Sequence, residues 1–488
     1  MLSRIRRLLF EHRSTRQVIA KNALWLGAGE FVSRLIRALT VIYAARVLGA
    51  AEYGVFSYVL GIAGFFTAFS SVGISTLLLR DIAQNPEKAR EYFSVSFFAR
   101  LALLLPTMLL VILAAPLVSQ VGDARLIFIF AALLIAFDGF RDLASAVFRA
   151  RERMEFEALL TFVTNISIAA CVILVLFLFP NPLYLTLGYA AGAGVGALLG
   201  IILLWDWFTG IVRYFRKELI APLLRSASAI LLTASLGPLM LHTDIIMLGW
   251  WRSASEVGIY AAAQKIIFIL IILPDILSIS IFPFLSRLAK ENSLRLQSIV
   301  ERSLTILFSL AIPLVFGGVV FARPLLSFIY GEEFSSGTLT FQILLFSLLL
   351  LFPRMIVHTL VFARDKQKTI AFATLLGALG NIGFNILLIP RFGASGSAIA
   401  TLISLFLNRG FIWREAKKIQ EFSVLRHLPR MLCAGVLGPG IVGLALSLLG
   451  VHVLLAIPIS AVAYGLLLIL FRDPVIKEFR DAYKRVLL

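Results

Sequence analysis

Asn22–Arg46, NALWLGAGEFVSRLIRALTVIYAAR, is apolar and long enough to cross a bilayer, for which about 20 residues suffice. Yet Glu30, Arg34 and Arg37 stand in its middle, at spacings of four and three that put all three on one helical face. A charge near the bilayer centre costs roughly 2.5–3.5 kcal/mol on insertion scales, so such side chains face protein or water rather than lipid. Two readings stand. Glu30 and Arg34 pair and lock two helices together, which leaves Arg37 over; or the three form one wall of a polar cavity that receives an anion.

The rest of the chain repeats this stretch's hydrophobic character. Of 488 residues, 60% are hydrophobic and 15% charged, a composition that a water-soluble protein of this size cannot cover with polar surface. Fourteen spans fit, at 22–46, 54–79, 93–117, 125–148, 158–179, 184–208, 226–249, 257–282, 299–321, 338–362, 370–389, 394–413, 431–450 and 453–471. The fold expected is therefore an all-α integral membrane protein. The basic N-terminus, residues 1–21, reads as a cytoplasmic amphipathic lead-in, because the apolar stretch after it is too long and too charged for a signal peptide. Cys171 and Cys433 each lie inside an apolar run, read as inert core residues and carry no redox information.

A net charge of +18 raises the question of a nucleic-acid partner. Its distribution answers no. Most Lys and Arg fall in the termini and in every second loop, whereas the alternate loops hold Arg46, Arg125, Arg252, Arg323 and Arg391. That asymmetry is the positive-inside pattern and places both termini in the cytoplasm. No loop is large enough for a domain, so any function sits in the helices.

Two internal matches indicate a repeat. Ala150-Arg151-Glu152-Arg153 after span 4 corresponds to Ala363-Arg364-Asp365-Lys366 after span 10, and the same offset aligns Ala158 with Ala371 and Thr161 with Thr374. Glu52-Tyr53-Gly54-Val55-Phe56 opens span 2 as Glu256-Val257-Gly258-Ile259-Tyr260 opens span 8. The expected division is a six-helix lobe at 22–217, a second in the same orientation at 218–430, two further spans at 431–471 and a cytoplasmic tail at 472–488. Two parallel lobes around a central cavity are the plan of an alternating-access transporter. Gly188, Gly192, Gly196 and Gly200 form a small-residue stripe for close helix packing in span 6, and Pro106, Pro238, Pro274, Pro313 and Pro353 interrupt spans.

Among ionisable residues within spans, Arg100 with Asp142 and Asp138 with Arg141 read as structural pairs. Lys265 and Asp275 are about 15 Å apart along one helix and do not pair directly. Arg354 has His358 one turn away and no acid in its own span. The cationic candidates are thus Arg34, Arg37, Lys265 and Arg354, with Glu30 beside the first two. Phosphate or pyrophosphate is the anion that guanidinium groups suit best. A second constellation, Asp244 in span 7, Asn381 and Asn385 in span 11 and Thr401 in span 12, lies at matching depth. It offers one carboxylate and neutral oxygens to Na⁺, or a carboxylate to a proton; as a purely structural set it is an interhelical hydrogen-bond cluster. No Cys/His metal spacing, phosphate-cradling Gly-rich loop or Ser/His/Asp set in the outer loops points to an enzyme.

LGAAEYGVFSYV at 48–59, DIIMLGWWRSASEVGIYAAAQKI at 244–266 and NIGFNILLIPRFGASGSAIATLIS at 381–404 resemble the oligosaccharide flippases of polysaccharide biosynthesis, the O-antigen and teichoic-acid exporter type. That family belongs to the multidrug/oligosaccharidyl-lipid/polysaccharide exporter superfamily, and the resemblance covers essentially the whole chain. It implies two six-helix lobes in a V, and ATP-independent movement of an undecaprenyl-pyrophosphate-linked oligosaccharide from the cytoplasmic to the outer leaflet of a bacterial-type inner membrane. Glycan polymerase or assembly proteins are the partners it implies. The lipid II flippases of the same superfamily hold sodium between spans 7, 11 and 12. Asp244, Asn381, Asn385 and Thr401 match that set, with Asn385 standing where a carboxylate can occur. A drug/cation antiporter of the superfamily would have twelve spans and an acidic cavity. A membrane glycosyltransferase or polymerase would need a sizeable outer loop.

Overall fold

The computed structural model describes residues 15–71, 73–118, 125–275, 285, 288, 294–423 and 428–476. The expected lead-in lies mostly, and the end of the tail wholly, outside them. Every regular element among the described residues is helical. Nine of these helices are long and apolar enough to cross a membrane. Their outer faces are apolar too: Leu105, Leu109 and Leu113 on one helix, Leu174 and Phe177 on another and Leu455, Val462 and Leu466 on a third are exposed. Such surface is stable against lipid and costly against water.

The chain divides into two units, Met1–Trp250 and Trp251–Leu488. In the first, α1 (Thr15–Ser71) runs through both expected opening spans and turns at a single residue, Gly49, whose φ of 75° suits glycine. It is followed by α2 (Ile74–Gln84), α3 (Ala89–Val118), α4 (Arg125–Ala150), α5 (Met154–Leu178), α6 (Pro182–Leu203) and α7 (Ile220–Trp251). The glycine stripe of α6 lies on α5. A Cβ at Gly192 would stand 2.4 Å from Ile168 Cα, and one at Gly188 3.2 Å from Val172 Cα, so the two backbones touch. The unit boundary falls after α7 rather than at 217/218, because the end of α7 packs on α1. A Cβ at Gly61 would meet Ile245 Cγ2 at 3.1 Å, and the Tyr58 ring occupies the space over Gly249.

The second unit contains α8 (Ala254–Leu270), α9 (Leu294–Val320), α10 (Ala322–Tyr330), α11 (Thr338–Phe346), α12 (Arg354–Phe362), α13 (Gln367–Ile419), α14 (Leu428–Gly435) and α15 (Val453–Leu470). Pro353 and the short turns before it split the tenth expected span into α11 and α12. The segment 323–336, which falls between two expected spans, is largely helical. It buries Leu326, Tyr330 and Phe334, and Tyr330 donates to the Ala262 carbonyl at 3.1 Å. Burial pushes the Tyr330 phenol above its usual range, so it remains a donor at any physiological pH. Cys171 is half-buried and Cys433 exposed; both are free thiols. Cys433 is therefore not a core residue.

Like α1, α13 covers two expected spans and breaks at one glycine, Gly393, with φ 57°. Two residues at the start of α8 satisfy the broken ends. Arg252 donates to the carbonyls of Ile389 (3.1 Å) and Pro390 (2.7 Å), and Glu256 accepts from the Ala394 N–H at 3.1 Å. A cation at a helix C-terminus and an anion at an N-terminus also match the helix dipoles.

The repeat is visible in the backbone of each unit. Glu152 and Asp365, aligned by the first match, both adopt the left-handed conformation, at φ 57° and 56°. Each closes a helix with the same pair of bonds: Arg153 N to Phe148 O with Glu152 N to Arg149 O, and Lys366 N to Val361 O with Asp365 N to Phe362 O. This is the Schellman pattern of a helix C-terminus. Of the second match, Glu52 lies three residues after the Gly49 turn, and Glu256 three residues after Ser253, which caps α8.

Candidate functional site

Arg34 and Arg37 are exposed on α1, one turn apart. The side chain of Glu30 lies outside the described residues. Arg37 is held by a neutral group: its Nε and Nη2 donate to Asn165 Oδ1 of α5 at 3.1 and 3.0 Å. Asn165 is 2% exposed, and its own amide donates to the Thr161 carbonyl at 2.7 Å, which fixes its carbonyl oxygen toward Arg37. The approach of the two helices is close enough that a Cβ on Gly29 would stand 3.1 Å from Ala158 Cβ. An amide orients a guanidinium without neutralising it. Among the described residues no carboxylate lies within ion-pair distance of Arg37.

Deeper in the same unit the expected structural pairs form. Arg141 lies 3.1 Å from Asp138 and 3.8 Å from Asp142, and the fully buried Arg100 is also 3.8 Å from Asp142. Gly139 makes the room: a Cβ there would stand 3.1 Å from Arg100 Nε. Asp244, on α7, is 1% exposed.

In the second unit, Lys265 is half-buried on α8. Arg354 acquires an acid from a different helix, Asp275, at 3.8 Å. Its charge is therefore partly offset, in contrast to that of Arg37. Asn381 and Asn385 are both buried and joined by a 3.2 Å hydrogen bond from Asn385 Nδ2 to Asn381 Oδ1. The Thr401 hydroxyl lies 3.2 Å from that of Tyr260. The structure thus brings Asn381 to Asn385 and gives Thr401 a tyrosine.

Two residues escaped the sequence reading. Asn165 is neutral and has no second amide a turn away, as Asn381 has in Asn385; a lone Asn in the middle of an apolar helix was the available signal. Arg409 on α13 looked like a charge at a span's end. It lines the same cavity as Arg354, with Nε buried and without a hydrogen-bond partner among the described residues.

Apolar spanning helices, glycine-hinged helix pairs and a backbone repeat together define a polytopic α-helical membrane protein. Comparison with known proteins narrows the class. The signature of the polysaccharide biosynthesis protein family matches residues 19–289, and that of the MatE family residues 229–387. Two Haloferax volcanii proteins are similar. The probable low-salt glycan biosynthesis flippase Agl15 is 22% identical over 80% of this chain and 82% of its own length; the probable flippase AglR is 26% identical over 79% and 81%. The fold is similar to that of the lipid II flippase MurJ in an inward closed conformation, with a TM-score of 0.75 at 14% identity over 92% of this chain and 99% of that one. The chain belongs to the polysaccharide biosynthesis protein family, within the multidrug/oligosaccharidyl-lipid/polysaccharide exporter superfamily.

Proposed function

We propose that the protein is a flippase that moves an undecaprenyl-pyrophosphate-linked oligosaccharide from the cytoplasmic to the outer leaflet by alternating access. In this reading it is built of fourteen spans, as two six-helix lobes and two C-terminal helices, in a cytoplasmic membrane with both termini inside. The observation that carries the reading is the Arg37 fork, aimed by the buried amide of Asn165 and left with its charge. A pyrophosphate accepts two-point hydrogen bonds from such a fork, and the polyprenyl chain stays in lipid. Arg34, one turn away, extends the grip, and Glu30 belongs to the same proposed polar wall. Lys265 and Arg354 are the cationic candidates of the second unit. The family and the names of the similar flippases support the substrate class. Glycan polymerase or assembly proteins would receive the product.

Movement is coupled to Na⁺ or H⁺ in this proposal. Asp244 supplies the charge that the ion neutralises, and Asn381, Asn385 and Thr401 supply neutral oxygens. The test of the main reading is flipping of a short fluorescent polyprenyl-pyrophosphate oligosaccharide in proteoliposomes. Arg34→Ala and Arg37→Ala are expected to abolish flipping while protein level and melting temperature stay as in the wild type. Wild-type flipping in both variants overturns the reading.

A further inference from the structure

Within the second unit Arg354, a cationic candidate of the proposed function, shares an apolar cavity with a second arginine. Between α9, the turn at Leu349–Pro353, α12, α13 and α14 the structure leaves a partly open cavity of about 430 Å³. Its walls include Phe308, Leu349, Trp413 and Leu432, and among the described residues its charged side chains are Arg354 and Arg409. Two guanidinium groups at an apolar wall are costly unless an anion meets them. Asp275 stands 3.8 Å from Arg354, which offsets one charge of the two. Arg409 makes no ion pair among the described residues, and its Nε is buried without a hydrogen-bond partner. Arg354 is also the first residue of α12, where the positive end of the helix dipole disfavours a cation and favours an anion.

The chemistry of the wall selects the occupant. Among the described residues, the hydrogen-bonding side chains that line the cavity are the two arginines and the Trp413 indole, a lining poor in the acceptors and donors a saccharide needs. The occupant therefore carries a compact anionic head and an apolar chain. By the expected topology Arg409 lies about 6 Å, and Arg354 about 12 Å, inside the cytoplasmic end of its span. That is the level at which an inner-leaflet phosphate meets long basic side chains, and basic pockets between helices on this side hold anionic lipid heads. We infer that this cavity binds an anionic glycerophospholipid of the inner leaflet, with its phosphate on Arg354 and Arg409 and one acyl chain against Phe308, Leu349 and Leu432.

The test uses the full-length protein in detergent, titrated with phosphatidylglycerol or with phosphatidylcholine of the same acyl chains and read by native mass spectrometry. Phosphatidylglycerol is expected to bind more tightly and to raise the melting temperature. Arg409→Gln should weaken it about fivefold, the worth of one interfacial basic residue. Lys368→Gln, which removes an exposed charge elsewhere on α13, should leave binding unchanged. Arg409→Lys keeps the charge without the fork and should fall between; it also serves where Arg409→Gln does not fold. Equal binding of the two lipids, or equal loss in the Arg409 and Lys368 variants, overturns the inference. So does a polyprenyl phosphate that displaces phosphatidylglycerol and is itself the ligand weakened by Arg409→Gln, since the cavity then serves the carrier lipid.

Discussion

Asn165→Asp asks whether Arg37 is a strut or a hand. Asn165 Oδ1 stands 3.1 and 3.0 Å from the two donating nitrogens of Arg37, and an aspartate in its place keeps that geometry while adding a negative charge. Two unit charges 3 Å apart attract by about 5–6 kcal/mol at an effective dielectric constant of 20, an upper bound. Arg37 is exposed, and screening reduces the gain to about 1–2 kcal/mol. Against this, a charge-assisted hydrogen bond from Arg37 to a phosphate is worth about 1.5–3 kcal/mol. The built-in carboxylate therefore competes with the substrate on comparable terms. At tenfold per 1.4 kcal/mol, a 1–2 kcal/mol competitor slows flipping of the labelled lipid about 5- to 30-fold in proteoliposomes. Melting temperature is measured beside it, because Asn165 is 2% exposed and a carboxylate there is desolvated and faces the Thr161 carbonyl instead of donating to it at 2.7 Å. A strut predicts the opposite: a salt bridge joins α1 to α5 at least as well as an amide does, so transport would be unimpaired. Wild-type flipping by a normally melting Asn165→Asp variant refutes the claim that the charge of Arg37 is kept for an anion.

Three further outcomes rest on particular residues. Gly192→Ala forces its methyl to within 2.4 Å of the Ile168 backbone and should cost about 1–3 kcal/mol, seen as a lower melting temperature in detergent; Gly383→Ala, with nothing within 4 Å, should not be destabilising. Glu256→Ala removes the acceptor for the Ala394 N–H and should cost about 0.5–2 kcal/mol in the same assay, as loss of a helix N-cap does; an unchanged melting temperature would show that the Gly393 hinge needs no clamp. Asp244→Asn should remove any Na⁺ or pH dependence of flipping while leaving the protein folded, and an unaltered dependence would exclude Asp244 from coupling.

Much of the fold was legible because the bilayer and helix geometry leave strong marks on a sequence. Spanning length, the glycine stripe of α6 and the pairing of Arg141 with Asp138 are local properties, and each depends on a few residues on one helix. The repeat was legible only as two short matches. Its backbone signature, the left-handed Glu152 and Asp365, is invisible to composition because neither residue is a glycine. The hinges were misjudged in extent. Whole loops were expected near residues 47–53 and 390–393, whereas in each place one glycine suffices, since Arg252 and Glu256 can satisfy the broken ends of α13 from another helix.

The candidate site was less legible, for a physical reason: what decides the fate of a buried charge is its partner across the packing, and the partner is distant in sequence. Arg37 and Arg354 look equivalent in the chain, each an arginine inside an apolar span. The fold separates them. Arg37 meets an amide 128 residues away, and Arg354 meets the carboxylate of Asp275 at 3.8 Å. An amide supplies orientation without cancelling charge; a carboxylate supplies both attraction and cancellation. Of these two arginines, Arg37 is therefore the one whose surroundings aim it while preserving what an anion would bind.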